Sequence, residues 1–510
     1  MHQAIMQVLL LLLLVLPVVI MIVRRAATPI KARLATFKSV LTSKPQFMFV
    51  TDCATAHHLL VRGSKAAAGG GSFSNRMPSM SPSAFLSGQL YHNITSAPYG
   101  QLWRALRHNL TSGVLHPTHQ HRYSAARRQA LRGLIADLRE QQLTNGVALA
   151  AESIRGAVFR VISTICFGDG VDAAVVHAMD DVQMELVMAL STMRIFMSMS
   201  VPFQVASRLI YRKRWNKLTA IRQKQEELYL PLIDGCRSHR RHSDEALTYV
   251  HTLLDLRVPV ELEADEAGAA GGKQRQQRRL EDGELVGLCS EFLGSATETT
   301  VASLQWIMAN LMKRPGIQEA VRREIEAAVD ADAEEVGEEV LGKLDYLNAV
   351  ILEALRLHPT TARAFRQVMQ EDQVVDHDGQ RIPAGTTMVF VLDALGRDKT
   401  VWDDHEEFKP ERFLACGGGE STKNLLSSMA GEMKMMPFGI GRRMCPAISM
   451  SLLHISYFMA NLVREFEWGE VEGVHAVQLH TDPRIEMFNV MKRPLCAHLV
   501  PRRPEGKKIR

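Results

Sequence analysis

Cysteine is sparse and scattered in this chain. Its 510 residues hold seven, Cys53, Cys166, Cys236, Cys289, Cys416, Cys445 and Cys496. An odd number with no close pair argues against a disulfide framework and against a structural zinc site. It suits a reducing compartment such as the cytosol. Charge of one sign is lacking too: 60 Lys+Arg against 55 Asp+Glu leave +5. That balance is too diffuse for a nucleic-acid partner, and no basic stripe with interleaved aromatics appears. Long apolar runs are absent after the amino terminus, which excludes a polytopic membrane protein. No internal repeat is visible. Hydrophobic residues at 46% and charged residues at 23% are ordinary globular usage and exclude a disordered or collagen-like chain.

The amino terminus differs. Residues 5–23 are apolar except for Gln7, and Arg24-Arg25 follow at once. As a helix this run spans about 28 Å, close to a bilayer's hydrocarbon core. The basic region of a cleavable signal peptide is missing, and the Arg pair predicts that the rest of the chain stays on the cytosolic side. We therefore expect a single transmembrane anchor at 1–25, a short hinge at 26–44 and one large domain at 45–510.

Within that domain, apolar residues at three- and four-residue spacing predict helices over 103–110, 122–141, 147–166, 215–236, 284–312 and 344–357. Strand-like stretches are few: 47–50, 373–382, 387–392 and 484–491. The fold expected is mainly α with small β-sheets. Residues 258–283 are polar and low in complexity and predict a flexible linker or insertion. Segments 66–72 and 417–419 predict loops.

One cysteine stands in a distinctive setting, Pro437-Phe438-Gly439-Ile440-Gly441-Arg442-Arg443-Met444-Cys445-Pro446. Two glycines permit a tight turn and close approach to a flat ligand. Pro446 and the apolar run 448–463 place Cys445 near a helix amino terminus, where free N–H groups favour a thiolate. A thiolate so held is a good axial ligand for haem iron. Cys-Pro by itself would fit a buried free thiol better; the whole string is far more specific.

This string resembles the haem-binding signature of the cytochrome P-450 superfamily, F-x-x-G-x-R-x-C-x-G, with Ala447 at the last Gly. The resemblance implies that Cys445 ligates iron, Phe438 packs beside the sulfur and Arg443 meets a haem propionate. Four further motifs follow the family's order. Trp103 and Arg107, in W-x-x-x-R, share a helix face and offer donors to a propionate. Ser295-Ala296-Thr297-Glu298-Thr299-Thr300 is similar to the oxygen-activation motif A/G-G-x-D/E-T-T, with Ala296 for the usual Gly. By that resemblance Glu298 is the acid and Thr299 the alcohol of a proton relay. Glu353 and Arg356, at i and i+3, join Arg412 of Phe408-Lys409-Pro410-Glu411-Arg412-Phe413 in a structural network.

The resemblance covers about 45–501 and is nearest the plant microsomal branch. It implies a P-450 fold, an α-rich lobe with a smaller β-rich lobe, holding heme b (iron protoporphyrin IX). It implies a haem-thiolate monooxygenase that inserts one atom of O2 into an apolar small molecule. NADPH-derived electrons would come from a flavoprotein reductase at the endoplasmic reticulum membrane. Arg127, Arg128, Arg132, Lys434 and Arg442 are candidate docking cations. Segments 84–93, 184–205 and 360–365 are candidate substrate contacts. A haem-thiolate isomerase or dehydratase of hydroperoxides, and a non-catalytic haem protein, are the alternatives. The usual Pro-rich hinge is absent before residue 45, which leaves the amino-terminal lobe short and predicts unpaired backbone at strand 47–50.

Overall fold

The computed structural model describes residues 47–62, 73–76, 93–197, 208, 210–238, 247–260, 277–368, 382–414, 433–473, 477–479 and 488–502, with backbone alone over 190–197. The chain divides into two compact units, 1–47 and 48–510. The expected anchor at 1–25 and hinge at 26–44 lie outside the described residues. Among the described residues no helix is long and apolar enough to cross a membrane.

The larger unit is built of helices: α1 (Gln101–Gly113), α2 (Ser124–Asn145), α3 (Ala150–Phe167), α4 (Ala173–Met197), α5 (Arg212–Ser238), α6 (Tyr249–Asp255), α7 (Asp282–Met312), α8 (Pro315–Ala328), α9 (Asp345–Leu357) and α10 (Ile448–Glu465). Helix α7 is the axis. A capping box starts it: the Glu284 carboxylate accepts from the Glu281 N–H at 2.8 Å. Its apolar residues then point in nearly every direction, so it runs through the core and packs on α3, α5, α9 and α10. Helix α9 stops at Leu357, two residues before Pro359, as the ring of proline demands. Helices α4, α6 and α8 add to those expected.

The sheets are small. Strand β5 (Thr387–Val391) lies between β1 (Phe47–Val50) and β4 (Arg363–Gln367). β4 and β5 are antiparallel, from Arg363 opposite Val391 to Gln367 opposite Thr387. Strand 47–50 therefore has a partner, contrary to the expected unpaired backbone: β5 itself supplies the neighbour. The linker expected at 258–283 is narrower than that. β2 (Val258–Pro259) pairs antiparallel with β3 (Gln277–Arg278), Val258 is fully buried, and Arg278 grips Glu284 with both Nη atoms. Backbone pairing and this ion pair fix both ends of the polar stretch, which composition alone could not show. β6 (Phe466–Gly469) pairs with β7 (His498–Pro501), an addition to the expected strands. Of the strand expected at 484–491, the described part makes an isolated bridge, Phe488 to Thr361. Apart from Ile382, the strand expected at 373–382 lies outside the described residues, as do both expected loops.

Candidate active site

The glycines of the cysteine loop are needed where they stand. Gly439 and Gly441 have φ of 70° and 73°, and a Cβ on Gly441 would meet the Leu60 carbonyl oxygen at 2.9 Å. The turn brings the Cys445 N–H onto the Phe438 carbonyl at 2.8 Å. Helix α10 begins only at Ile448, and one N–H, that of Ala447, reaches Cys445 Sγ at 3.4 Å. Burial pushes the thiol up, and Ala447, Arg107 and Arg76 pull it back only in part. The helix terminus alone thus does less for the thiolate than its sequence position promised, because it starts three residues late. A coordinating metal ion deprotonates a thiol outright.

Facing this loop is a ring of guanidinium groups. Arg443 is buried. Its Nε donates to Ser74 O at 2.8 Å, Nη1 to Ile94 O at 3.0 Å and Nη2 to Ala97 O at 2.6 Å. Its guanidinium lies 4.6 Å over the Trp103 ring, and that of Arg107 lies 5.8 Å from the same ring. Arg76 and Arg366 complete the ring. Burial lowers the pKa of all four, and Arg76 lowers the other three further, Arg443 to about 9. Arg76 repels the other three and one carboxylate, Glu291, offsets Arg76 and Arg443, so the remaining positive charge suits an anionic ligand. The Trp103 Nε1–H is buried without a hydrogen-bond partner, although Trp103 is only 6% exposed. An orphaned donor and surplus cations, gathered around a half-buried thiol, fit haem with its two carboxylates and its iron. Trp103, Arg107, Arg443, Arg76 and Arg366 would hold the carboxylates and Cys445 the iron. Sequence reading missed Arg76 and Arg366, since each is an isolated arginine until β4 and the 73–76 segment bring them together.

On α7 the residues expected to serve oxygen activation split between two faces. Ala296 and Thr299 are half-buried, and Thr299 Oγ1 donates back to Ser295 O at 2.8 Å. Glu298 is buried on the other side. Its Oε1 lies 2.8 Å from Nη1 of Arg155, on α3, whose Nη2 lies 2.7 Å from Asp180 Oδ1, on α4. Burial raises the Glu298 carboxyl pKa, with Arg155 opposing. Arg155 carried no sequence signal, because its partners are remote in the chain.

The Glu353–Arg356–Arg412 network is assembled in full. Arg356 meets Glu353 through Nε and Nη2, at 2.7 and 2.8 Å, with both side chains fully buried. Arg412 Nε reaches Glu353 Oε1 at 3.1 Å. Arg356 also donates to the carbonyls of Gly396, His405 and Glu407. These bonds pin the 396–412 meander against α9. A Cβ on Gly396 would fall 2.0 Å from Arg356 O, so the approach requires glycine.

The docking cations fare unequally. Arg127 is fully buried against Glu338 and the Gln120 carbonyl, so it leaves the candidate surface. Arg132 is exposed but paired with Glu334 at 2.9 Å. Arg128, Lys434 and Arg442 are exposed, and Arg442 donates to the Tyr99 hydroxyl. Of the substrate segments, 84–92 and 198–205 lie outside the described residues. Thr360 is buried at the end of α9, and Thr361 bridges to Phe488.

Fold and site together define a helix-rich protein built around a half-buried cysteine for haem-thiolate chemistry. A family model described as Cytochrome P450 matches residues 36–492, and the chain belongs to that family. It is 37% identical to cytochrome P450 89A9 of Arabidopsis thaliana over 468 residues, 90% of this chain and 85% of that protein. It is 28% identical to cytochrome P450 78A1 of Zea mays, over 80% of this chain and 71% of that protein. A zebrafish cytochrome P450 solved with progesterone superposes with a TM-score of 0.69 at 18% identity, covering 93% of this chain and all of that one. Retinoic acid-bound cyanobacterial CYP120A1 gives 0.66 at 19% identity, over 89% of this chain and 88% of that one. The expected P-450 fold is therefore found, and the chain is a monooxygenase of the oxidoreductase class that uses haem and O2.

Proposed function

We propose that the chain is a membrane-anchored monooxygenase of an apolar small molecule, fed with NADPH-derived electrons by a flavoprotein reductase. The convergence of Trp103, Arg107 and Arg443 on the Cys445 loop carries this reading. Haem bound there would supply oxygen activation, with the thiolate of Cys445 donating electron density that favours O–O cleavage. Arg107, Arg443 and the Trp103 N–H orient the cofactor. Phe438, whose carbonyl holds the Cys445 N–H, shapes the sulfur's surroundings. Thr299 handles a proton at Oγ1, exchanging its bond to Ser295 O for a water. Glu298 supplies the acid, with its ion pair to Arg155 open. Ala296 narrows the groove beside Thr299. Residues 1–25 anchor the chain in the endoplasmic reticulum membrane, with the domain facing the cytosol. Exposed Arg128, Lys434 and Arg442 are the cations left for a reductase.

The test is the carbon monoxide difference spectrum of reduced membranes carrying the chain. A strongly red-shifted Soret band is expected, and Cys445→Ala should abolish it. A band at the position of an imidazole- or water-ligated haem would sink the proposal. With reductase and a panel of apolar substrates, product should require NADPH. Turnover of hydroperoxides without NADPH would instead favour the isomerase.

A further inference from the structure

The turn 93–97 is held from opposite sides by two charged residues far apart in sequence. Glu291, half-buried on α7, accepts from two consecutive main-chain amides: Ile94 N at 2.9 Å on Oε2 and Thr95 N at 2.7 Å on Oε1. Both of its oxygens are committed to the backbone. From the cysteine loop, Arg443 donates to the carbonyls of Ile94 and Ala97 and, beyond the turn, to that of Ser74. The turn braces itself internally. Asn93 Oδ1 accepts from Ser96 N at 2.9 Å and from Ser96 Oγ at 2.8 Å, and Ala97 N donates to Asn93 O at 2.9 Å. Its exit is tied as well, because Tyr99 N donates to Asn75 Oδ1 at 2.7 Å, and Asn75 bridges to Gln367 of β4.

A single turn therefore connects α7, the cysteine loop, β4 and the start of α1. Its outward N–H groups go to an anion and its outward carbonyls to a cation. Charge-assisted bonds to main-chain groups are the stronger kind. Glu291 is also the acid that the ring faces, since its charge acts on both Arg76 and Arg443.

We propose that Glu291 is a positioning residue that staples the 93–97 turn to α7, so that the turn locks the Arg443 side of the haem site and sets how long the cofactor is retained. This rests on the haem-thiolate reading above. The carboxylate itself touches no reacting group. Its effect passes through the turn to Arg443, whose guanidinium can keep its orientation only while the carbonyls of Ile94 and Ala97 stay in place.

The experiment is amide hydrogen exchange on the haem-loaded full chain, together with haem transfer to excess apomyoglobin. In the wild type the amides of residues 94 and 95 should exchange as slowly as those of α1. Rapid exchange there overturns the staple without need of a variant. Glu291→Gln keeps one acceptor oxygen and loses the charge. Exchange at 94 or 95 should then rise about tenfold, and haem transfer should speed up by a similar factor, the change expected when one charge-assisted bond is lost. Glu291→Asp, which keeps the charge, should fall between the two. The position of the carbon monoxide band should stay the same in all three. Unchanged haem transfer in Glu291→Gln refutes the proposal. So does a uniform loss of protection along α7, which would mean general destabilisation. If the wild type lacked the red-shifted band, the haem-thiolate reading would fail on its own, and exchange at 94 and 95 would still decide on the staple.

Discussion

Glu353→Gln is the sharpest probe of how this fold holds its cysteine side together. The carboxylate accepts four bonds: Arg356 Nε at 2.7 Å, Arg356 Nη2 at 2.8 Å, Lys409 N at 2.8 Å and Arg412 Nε at 3.1 Å. Glutamine has nearly the same shape, so the packing of α9 is not the variable. It removes the only charge that meets both guanidiniums within this network, and it turns an NH2 group toward donors. Arg356 is 1% exposed and would keep its charge without a counterion. Removing one partner of a buried pair typically costs about 3–5 kcal/mol. Unfolding entropy scales with length, so for a domain of this size each kcal/mol moves the thermal midpoint by about 1 °C. The midpoint should fall by about 3–5 °C. The fraction of protein that gives the red-shifted carbon monoxide band should fall with it, because Trp402 Nε1 in the 396–412 meander donates to the Lys434 carbonyl at 3.0 Å, just before the cysteine loop. Circular dichroism melts and difference spectra on the same preparation read both. A midpoint within about 1 °C of wild type, with full haem content, would refute the claim that these charges are coupled and desolvated. Arg356→Lys should also destabilise, since an ammonium cannot reproduce the planar fork.

Other consequences follow from single features. Trp103→Phe deletes the orphaned indole N–H and leaves a smaller ring against the Arg443 and Arg107 guanidiniums, so haem transfer to apomyoglobin should accelerate about tenfold with the band position kept; an unchanged rate would mean that the N–H meets no anion. His454 is buried and burial holds it at about 3. Between the ordinary histidine value of about 6.5 and about 3, the unfolded chain binds the proton that the folded chain refuses, so stability should fall as pH drops through this window, by up to about 1.4 kcal/mol per pH unit, and level off above it. His454→Leu should flatten that slope in urea titrations at several pH values, and an unaltered slope would count against a neutral buried ring. Gly441→Ala forces a side chain into a left-handed φ and toward the Leu60 carbonyl; a loss of about 1–3 kcal/mol and a reduced haem yield are expected, whereas wild-type behaviour would show that the turn relaxes freely.

The chemistry of this protein is written locally, and that part was readable. The cysteine loop carries its glycines, arginine and cysteine within ten consecutive positions, and α7 announces itself through apolar spacing. The i, i+3 relation of Glu353 and Arg356 is a property of any helix, so their pairing needed no knowledge of the fold. The same holds for Trp103 and Arg107 on α1. Hydrogen-bond partners within one helix or one turn follow from geometry that every chain shares.

Whatever depends on remote neighbours was hidden. Arg127 reads as a candidate docking cation, yet Glu338 and the Gln120 carbonyl bury it. Glu298 sits in the expected motif, but only the approach of α3 and α4 supplies Arg155 and Asp180 to hold it. Strand 47–50 looked unpaired because its neighbour β5 lies more than three hundred residues later. Sequence alone therefore determined which residue types stand ready for thiolate and propionate chemistry, and which helices carry them. Tertiary structure decided which charges are buried, which are neutralised, and that Arg76, Arg366 and Glu291 lie near Arg443. The physical reason is that desolvation and charge pairing depend on the distance between side chains in space, and in a chain of this length most of those distances are set by packing between distant segments.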